Sequence, residues 1–363
     1  MQLIFFLLLA LFVQSYYAIN VTQTPSTDIE SILKSCNNDD CKNLKSYIHF
    51  KKYYSDKPNI LRQIPNYEDF IAYVFKEGDF DRINNAVSKY AENVGFCYDI
   101  SDDAISNTAI VVTDMQEAFM SNGPVAVNGA EYAIDYINKA KKYHEYSIHS
   151  LDTHLPLWSL SFSTNPDYLE TFPPHAREGT SDFNEVKGLY PRRFKMGLSR
   201  GASFEFVTGN LVEEANGVPF EFVTGNLVEE ANGVPFEFVT GNLVEEANGV
   251  PFEFFNGVNT CAHLYVGKKD FPITSNPLFK EYLLKNGIKK ITFTGVAGDY
   301  CVNAGILGVL DDPQLSHLKV GLYEPGVKWV FPDSISSQKL NLESYSKFKW
   351  INDEEELLYF LNN

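Results

Sequence analysis

The apolar positions change their spacing twice along the chain. Over Asp28–Cys36 and Asn66–Lys76 they recur at intervals of three and four, the spacing of an amphipathic helix. Gly78–Asn93 follows the same rule, with Phe80, Ile83, Val87, Tyr90 and Val94 on one stripe. From Thr108 the texture is different. Thr108-Ala109-Ile110-Val111-Val112-Thr113 is a continuous β-branched and apolar run ending at Asp114, which predicts a strand buried on both faces. A helix is predicted over Val127–Lys142, then a second strand, Ser147–Leu151, ending at Asp152. The same texture resumes late: strand His263–Val266, helix Asn276–Asn286, strand Lys290–Thr294, helix Cys301–Leu310 and strand Lys319–Tyr323. The tail, Ser334–Asn363, reads as helical and closes on the acidic amphipathic stretch Asp353–Leu361. Strand, helix, strand in this order predicts a three-layer α/β/α domain with a mainly parallel sheet over residues 106–363, preceded by a helical extension over 19–105.

Two segments stand outside that pattern. Leu3–Val13 is apolar and uncharged, too short to span a bilayer but suited to the core of a secretory signal peptide over residues 1–18, with candidate cleavage points after Ser15 and Ala18. The expected location is therefore outside the cell or in an endomembrane lumen. Asn20-Val21-Thr22 would then be a glycosylation acceptor. Between Phe204 and Pro251 a 16-residue unit, Phe-Glu-Phe-Val-Thr-Gly-Asn-Leu-Val-Glu-Glu-Ala-Asn-Gly-Val-Pro, occurs three times, and Phe252-Glu253-Phe254 opens a fourth. Its Asn-Gly and Thr-Gly-Asn steps are turn signals and Val-Pro-Phe-Glu-Phe-Val is strand-like. Such units can stack as a small solenoid, or form an expanded surface loop with no role of its own.

Composition adds little to this until charge is located. The 363 residues carry a net charge of −17, which argues against nucleic acid or an anionic membrane as partner. Each repeat holds three Glu and no cation, so the array alone supplies −9 of that charge. No later segment is apolar enough to cross a membrane after signal cleavage, and homo-oligomerisation is left open. Five cysteines, Cys36, Cys41, Cys97, Cys261 and Cys301, leave at least one thiol unpaired if Cys36 and Cys41 join in an oxidising compartment. Acidic residues near Asp79 and Asp81 lack the ligand alternation, central Gly and closing Glu of a calcium loop.

The chemistry gathers at strand ends. Cys301 follows a strand and opens a helix, where free N–H groups and the helix dipole would lower a thiol's pKa; the plain alternative is a buried structural cysteine. Asp114 could take the thiol proton, Lys268 could hold the charges together, and the N–H groups of Ala297 and Cys301 could receive an oxyanion. Lys269 is the rival for the lysine role. Asp152 and His154, two apart at a strand end, could reach one ion, with His175 completing a face of one carboxylate and two imidazoles.

Three segments in order resemble the isochorismatase-like cysteine hydrolases, and among them the nicotinamidases: Val112-Thr113-Asp114-Met115-Gln116 with Phe119; Asp152-Thr153-His154 with Ser161-Phe162, Pro173-Pro174-His175 and Gly179-Thr180; and Gly295-Val296-Ala297-Gly298-Asp299-Tyr300-Cys301-Val302. The resemblance spans about Thr108 to Val327. It implies the three-layer fold and hydrolysis of a small-molecule amide, nicotinamide to nicotinate and ammonia. It also implies an Asp114, Lys268, Cys301 triad, a cis peptide at Val296–Ala297, and Phe119 packed on the substrate ring. A divalent ion, Zn²⁺ or similar, would be held by Asp152, His154 and His175. Alternatives are another small-amide hydrolase of the same family, or a catalytically silent protein that binds through its acidic repeat.

Overall fold

The structure, a computed structural model, describes residues 39–94, 103–189 and 263–363, together with the backbone of eight short strands between Lys195 and Glu253. The expected signal peptide, Asn20, the Asp28–Cys36 helix, Cys97 and Cys261 lie outside the described residues.

Six strands form one sheet: β1 (Ile105–Thr113), β2 (His144–Asp152), β3 (His263–Lys268), β4 (Lys290–Gly295), β5 (Lys319–Val327) and β6 (Phe348–Ile351). Their spatial order is β3-β2-β1-β4-β5-β6, and every neighbouring pair is parallel. The two central strands, β1 and β4, are rich in β-branched residues and covered on both faces, so no alternation of polar residues is needed. Ile110 and Val112 pack toward helices α5 (Ala133–Lys141) and α9 (Glu354–Asn362), through Ala133, Ile137, Leu357 and Phe360. Ala109, Val111, Val266 and Phe293 pack toward α6 (Pro277–Lys285) and α7 (Asn303–Leu310), through Phe279, Leu283, Ile306 and Val309, and toward Leu342 of α8 (Ile335–Glu343). The result is the expected three-layer α/β/α arrangement. Helix α6 starts where Asn276 caps Leu278 N at 3.1 Å with Pro277 following, and α9 where Asp353 caps Glu356 N at 2.8 Å.

The tail departs from the expectation of helix throughout. Phe348-Lys349-Trp350-Ile351 is the outer strand β6, with Phe348, Trp350 and Ile351 buried and Lys349 exposed. Its four residues are too few for the periodicity to register against the helices on either side, and pairing with β5 decides the matter.

The extension contributes α1 (Asp39–Tyr53), α2 (Pro58–Leu61), α3 (Tyr67–Val74), a tight turn Phe75–Gly78 and α4 (Phe80–Val94). Leu44, Tyr47, Phe50, Phe70 and Val74 share a core with Trp158 and Phe162 of the segment after β2. On α4, Ile83 and Val87 lie so close to Gly267 of β3 that a Cβ there would stand 2.3 and 2.7 Å from their methyl groups. Cys41 is disulfide-bonded, and its expected partner Cys36 lies outside the described residues. Within the repeats, Val212–Ala215 pairs antiparallel with Val218–Glu221, Val228–Ala231 with Val234–Glu237, and Val244–Ala247 with Val250–Glu253; the Asn-Gly steps between them lie outside the described residues. The chain enters the sheet again at His263, the start of edge strand β3.

Candidate active site

The order of strands reverses between β1 and β4, which start connections toward opposite edges of the sheet. Parallel sheets open a crevice beyond the carboxyl ends of the strands at such a point. Asp114 follows β1 there. Its φ of 49° turns the chain sharply out of the strand, and its carboxylate accepts a hydrogen bond of 2.7 Å from Ser150 Oγ. Beyond β4, Gly295 takes a φ of +102° with its α-carbon against the Thr113 backbone, a place where a Cβ would lie 2.1 Å from Thr113 O. The Val296–Ala297 peptide is cis. A wide turn, Gly298–Val302, carries Cys301, and only at Asn303 does α7 begin. Cys301 therefore sits in the turn ahead of the helix and not at its first residue, as the sequence suggests. Ala297 is the residue that enters this turn, so its N–H and that of Cys301 belong to one short stretch of backbone.

Lys268 ends β3, paired in register with Asp152 at the end of β2. Its ammonium is 2.7 Å from Asp114 Oδ2, 3.5 Å from Cys301 Sγ and 3.7 Å from Asp152 Oδ1. Lys269 points the other way, to Asp270 at 3.6 Å, with a third of its side chain exposed. Lys268 is the last residue of β3, held in register with Asp152, while Lys269 lies beyond the strand. The side chains of Asp114 and Lys268 are 0% and 1% exposed, and Cys301 is the free cysteine among the described residues.

Burial dominates the electrostatics. It pushes the Cys301 thiol well above its ordinary range; Lys268 pulls the other way, while the neighbouring Asp114 and Asp152 push further up. The resting group is thus a thiol, contrary to the lowered pKa expected from a helix start. Burial likewise raises Asp114, opposed by Lys268 and assisted by Asp152. Lys268 stays charged: burial works against its ammonium, but Asp114, Cys301 and Asp152 together outweigh burial.

Next to this triad stands a second cluster. Asp152 Oδ2 lies 3.2 Å from His154 Nε2 and 3.1 Å from His175 Nε2, and one ligand atom from each residue falls within 4.8 Å of the others. His175 Nδ1 is 2.7 Å from the Pro173 carbonyl, so it must carry the hydrogen and leave Nε2 facing Asp152. His154 Nδ1 is 2.7 Å from Glu77 Oε1. Burial opposes charge on His154, yet Asp152 and Glu77 push its pKa up to about 10. Burial would raise Asp152, but His154 and Lys268 hold it well below the carboxylate range. One carboxylate oxygen facing two imidazole Nε2 atoms suits a cation, and with both Nδ1 atoms turned outward the donors fit a divalent ion. Phe119 stands edge-on to His175, ring centres 5.9 Å apart, at the same mouth.

The structure thus brings Asp114, Lys268 and Cys301 together, with Asp152, His154, His175 and Phe119 beside them, and leaves Lys269 outside. Three others have no role assigned from the sequence. Gln116 is fully buried; it takes Asp152 N–H at 2.7 Å on Oε1 and donates to Asp152 O at 3.0 Å, which fixes the backbone of that strand end. Ser150 orients Asp114. Glu77 arrives from the extension, where nothing in Phe-Lys-Glu-Gly hints at it.

No family model matches the chain. Among curated proteins it is 34% identical over 82 residues to the nicotinamidase/pyrazinamidase of Mycobacterium tuberculosis, a match covering 21% of this chain and 43% of the relative, so the chain spans under half of that protein's length. Solved structures similar in fold include the pyrazinamidase of Pyrococcus horikoshii in complex with zinc (17% identity, TM-score 0.40, covering 68% of this chain and 99% of that one). They also include the nicotinamidase of Bacillus subtilis (11%, TM-score 0.42, 68% and 99%) and an isochorismatase-like hydrolase from Alkaliphilus metalliredigens (15%, TM-score 0.40, 70% and 97%).

Proposed function

We propose that this chain belongs to the isochorismatase-like cysteine hydrolases, on their nicotinamidase branch, and is an amidohydrolase that converts nicotinamide to nicotinate and ammonia. The observation that carries the reading is the buried contact set of Lys268, 2.7 Å from Asp114 and 3.5 Å from Cys301. Burial makes the Asp114 carboxylate a stronger base than an aspartate in water, which favours its taking the thiol proton, and the Lys268 ammonium offsets the anion that remains.

The steps follow from the groups in place. Asp114 takes the thiol proton as Cys301 Sγ attacks the amide carbon. The charge that collects on the carbonyl oxygen is met by the N–H groups of Ala297 and Cys301. Asp114 then gives its proton to the amide nitrogen, ammonia leaves, and an acyl-thioester remains. Water, deprotonated by Asp114, attacks the thioester, and the proton returns to the departing sulfur. Lys268 keeps its charge throughout and balances whichever of Asp114 and Cys301 is anionic. Phe119 offers an edge-and-face surface for a flat ring. Asp152, His154 and His175 would hold a divalent ion, which supplies when bound a Lewis-acid contact for the ring nitrogen of the substrate. The disulfide at Cys41 suits passage through an oxidising compartment, in keeping with a secreted or lumenal protein.

The deciding measurement is ammonia release from nicotinamide and a panel of small amides, with metal content determined on the same sample. Turnover of nicotinamide that vanishes in Cys301→Ala supports the reading; undiminished turnover in that variant refutes the nucleophile, and turnover confined to other amides moves the substrate while keeping the chemistry.

A further inference from the structure

We propose that Glu77, supplied by the N-terminal extension, is a positioning residue for the metal centre: it fixes His154 in its ligating form and adds the charge that tightens the hold on the ion. The inference rests on the divalent-metal reading given above and concerns a residue outside the ligand set.

Both oxygens of Glu77 are engaged. Oε1 lies 2.7 Å from His154 Nδ1, and Oε2 accepts from Ser159 Oγ at 2.8 Å, which in turn is 2.8 Å from Ser161 Oγ. The residue is 9% exposed, on the one-turn segment between α3 and α4. That turn is braced: Arg82 donates from Nε to Lys76 O at 3.0 Å and from Nη2 to Glu77 O at 3.2 Å, and pairs with Glu178. Nearby, Tyr73 Oη accepts from Leu157 N–H at 2.8 Å, so the extension grips the segment that follows His154 at two points.

The physical consequence is directional. A carboxylate that accepts from Nδ1–H commits the hydrogen to that nitrogen, aims the Nε2 lone pair at the ion and makes the ring a better donor. The other imidazole has no such backing, for His175 gives its Nδ1–H to the neutral Pro173 carbonyl at 2.7 Å. Glu77 therefore makes the two imidazoles unequal, with the stronger one controlled by a segment that is not part of the α/β domain.

The test uses the full-length protein stripped of metal and titrated with Zn²⁺ against a chromophoric chelator, and with Co²⁺ followed by its visible absorption. Four variants are compared with the parent: Glu77→Gln, which keeps the shape and removes the charge; Glu77→Ala; His154→Ala; and Tyr73→Phe, which cuts the neighbouring anchor without touching His154. We expect Zn²⁺ affinity to fall ~10-fold in Glu77→Gln and up to ~100-fold in Glu77→Ala, the range for outer-shell carboxylates, with an altered Co²⁺ spectrum in both and none in Tyr73→Phe. Parental affinity and spectrum in both Glu77 variants, while His154→Ala loses the ion, would overturn the proposal and leave the metal reading standing. An equal loss in Tyr73→Phe would overturn it too, by tracing the effect to docking of the extension. If neither the parent nor any variant binds either ion, the metal reading itself falls and this inference with it.

Discussion

At Cys301 two effects compete and burial prevails over the neighbouring ammonium, so the sulfur rests protonated and its reactivity depends on Asp114. Alkylation by iodoacetamide should be slow near neutrality and speed up as pH rises, because only the thiolate reacts. The Asp114 carboxyl is raised, and it must be ionised to act, so kcat/KM should fall on acidification through a value above the ordinary ~3.9 of an aspartate. A pH–rate profile whose acid limb lies at or below that value would contradict the assignment. Lys268→Ala should lower kcat/KM by about 10²- to 10³-fold, the span of a preorganised group that stabilises developing charge, whereas Lys269→Ala should leave it within the error of the assay. The sequence exposed the residue types at this site because each one ends a strand. It could not tell Lys268 from Lys269, since which of the two ends the strand is set by pairing with Asp152. It gave the wrong sign for the thiol because a helix start is visible in a sequence and desolvation is not.

Secondary-structure elements were legible in proportion to their length and burial. Strands β1 and β4 announce themselves as β-branched runs, and the stripe on α4 is the stripe that packs, with Ile83 and Val87 buried. Strand β6 was not legible, being four residues stabilised by a neighbour distant in sequence. Glu77 was not legible either, because its partner His154 is 77 residues away and a single Glu in a polar turn has no local signature. The contact of α4 with β3 offers a test at this scale. Gly267→Ala places a methyl 2.3 Å from Ile83, so one element has to move. We expect a loss of about 1–3 kcal/mol, the usual cost of overpacking, read from denaturant midpoints, while Gly179→Ala, in an open stretch, tests only backbone strain at its φ of +79°.

Over the whole molecule, one reversal of strand order brings residues 114, 268 and 301 to a common mouth, so the reaction depends on topology before it depends on any one contact. Stability should follow acidity through buried histidines. His144, enclosed with its rings' nitrogens on Ala140 O and Thr292 Oγ1, is held by burial down to about 4 against an ordinary 6.5. Between those pH values the unfolded chain binds a proton that the folded one refuses. Its contribution is therefore intact above about 6.5 and eroded as pH falls toward 4, by on the order of 3 kcal/mol. His149 and His263 are lowered in the same sense. A plot of Tm against pH should slope less across this interval in His144→Gln, and an unchanged slope would remove His144 from the account. One further consequence follows from where the chain comes back from its 16-residue units. It rejoins at His263, at the foot of β3, whereas Lys268 stands at the opposite tip, about 16 Å farther along at the rise of an extended strand. Chains with more or fewer units should thus differ in mass and in steps of three negative charges, while β3 keeps its register with β2 and Lys268 its distance from the point of re-entry.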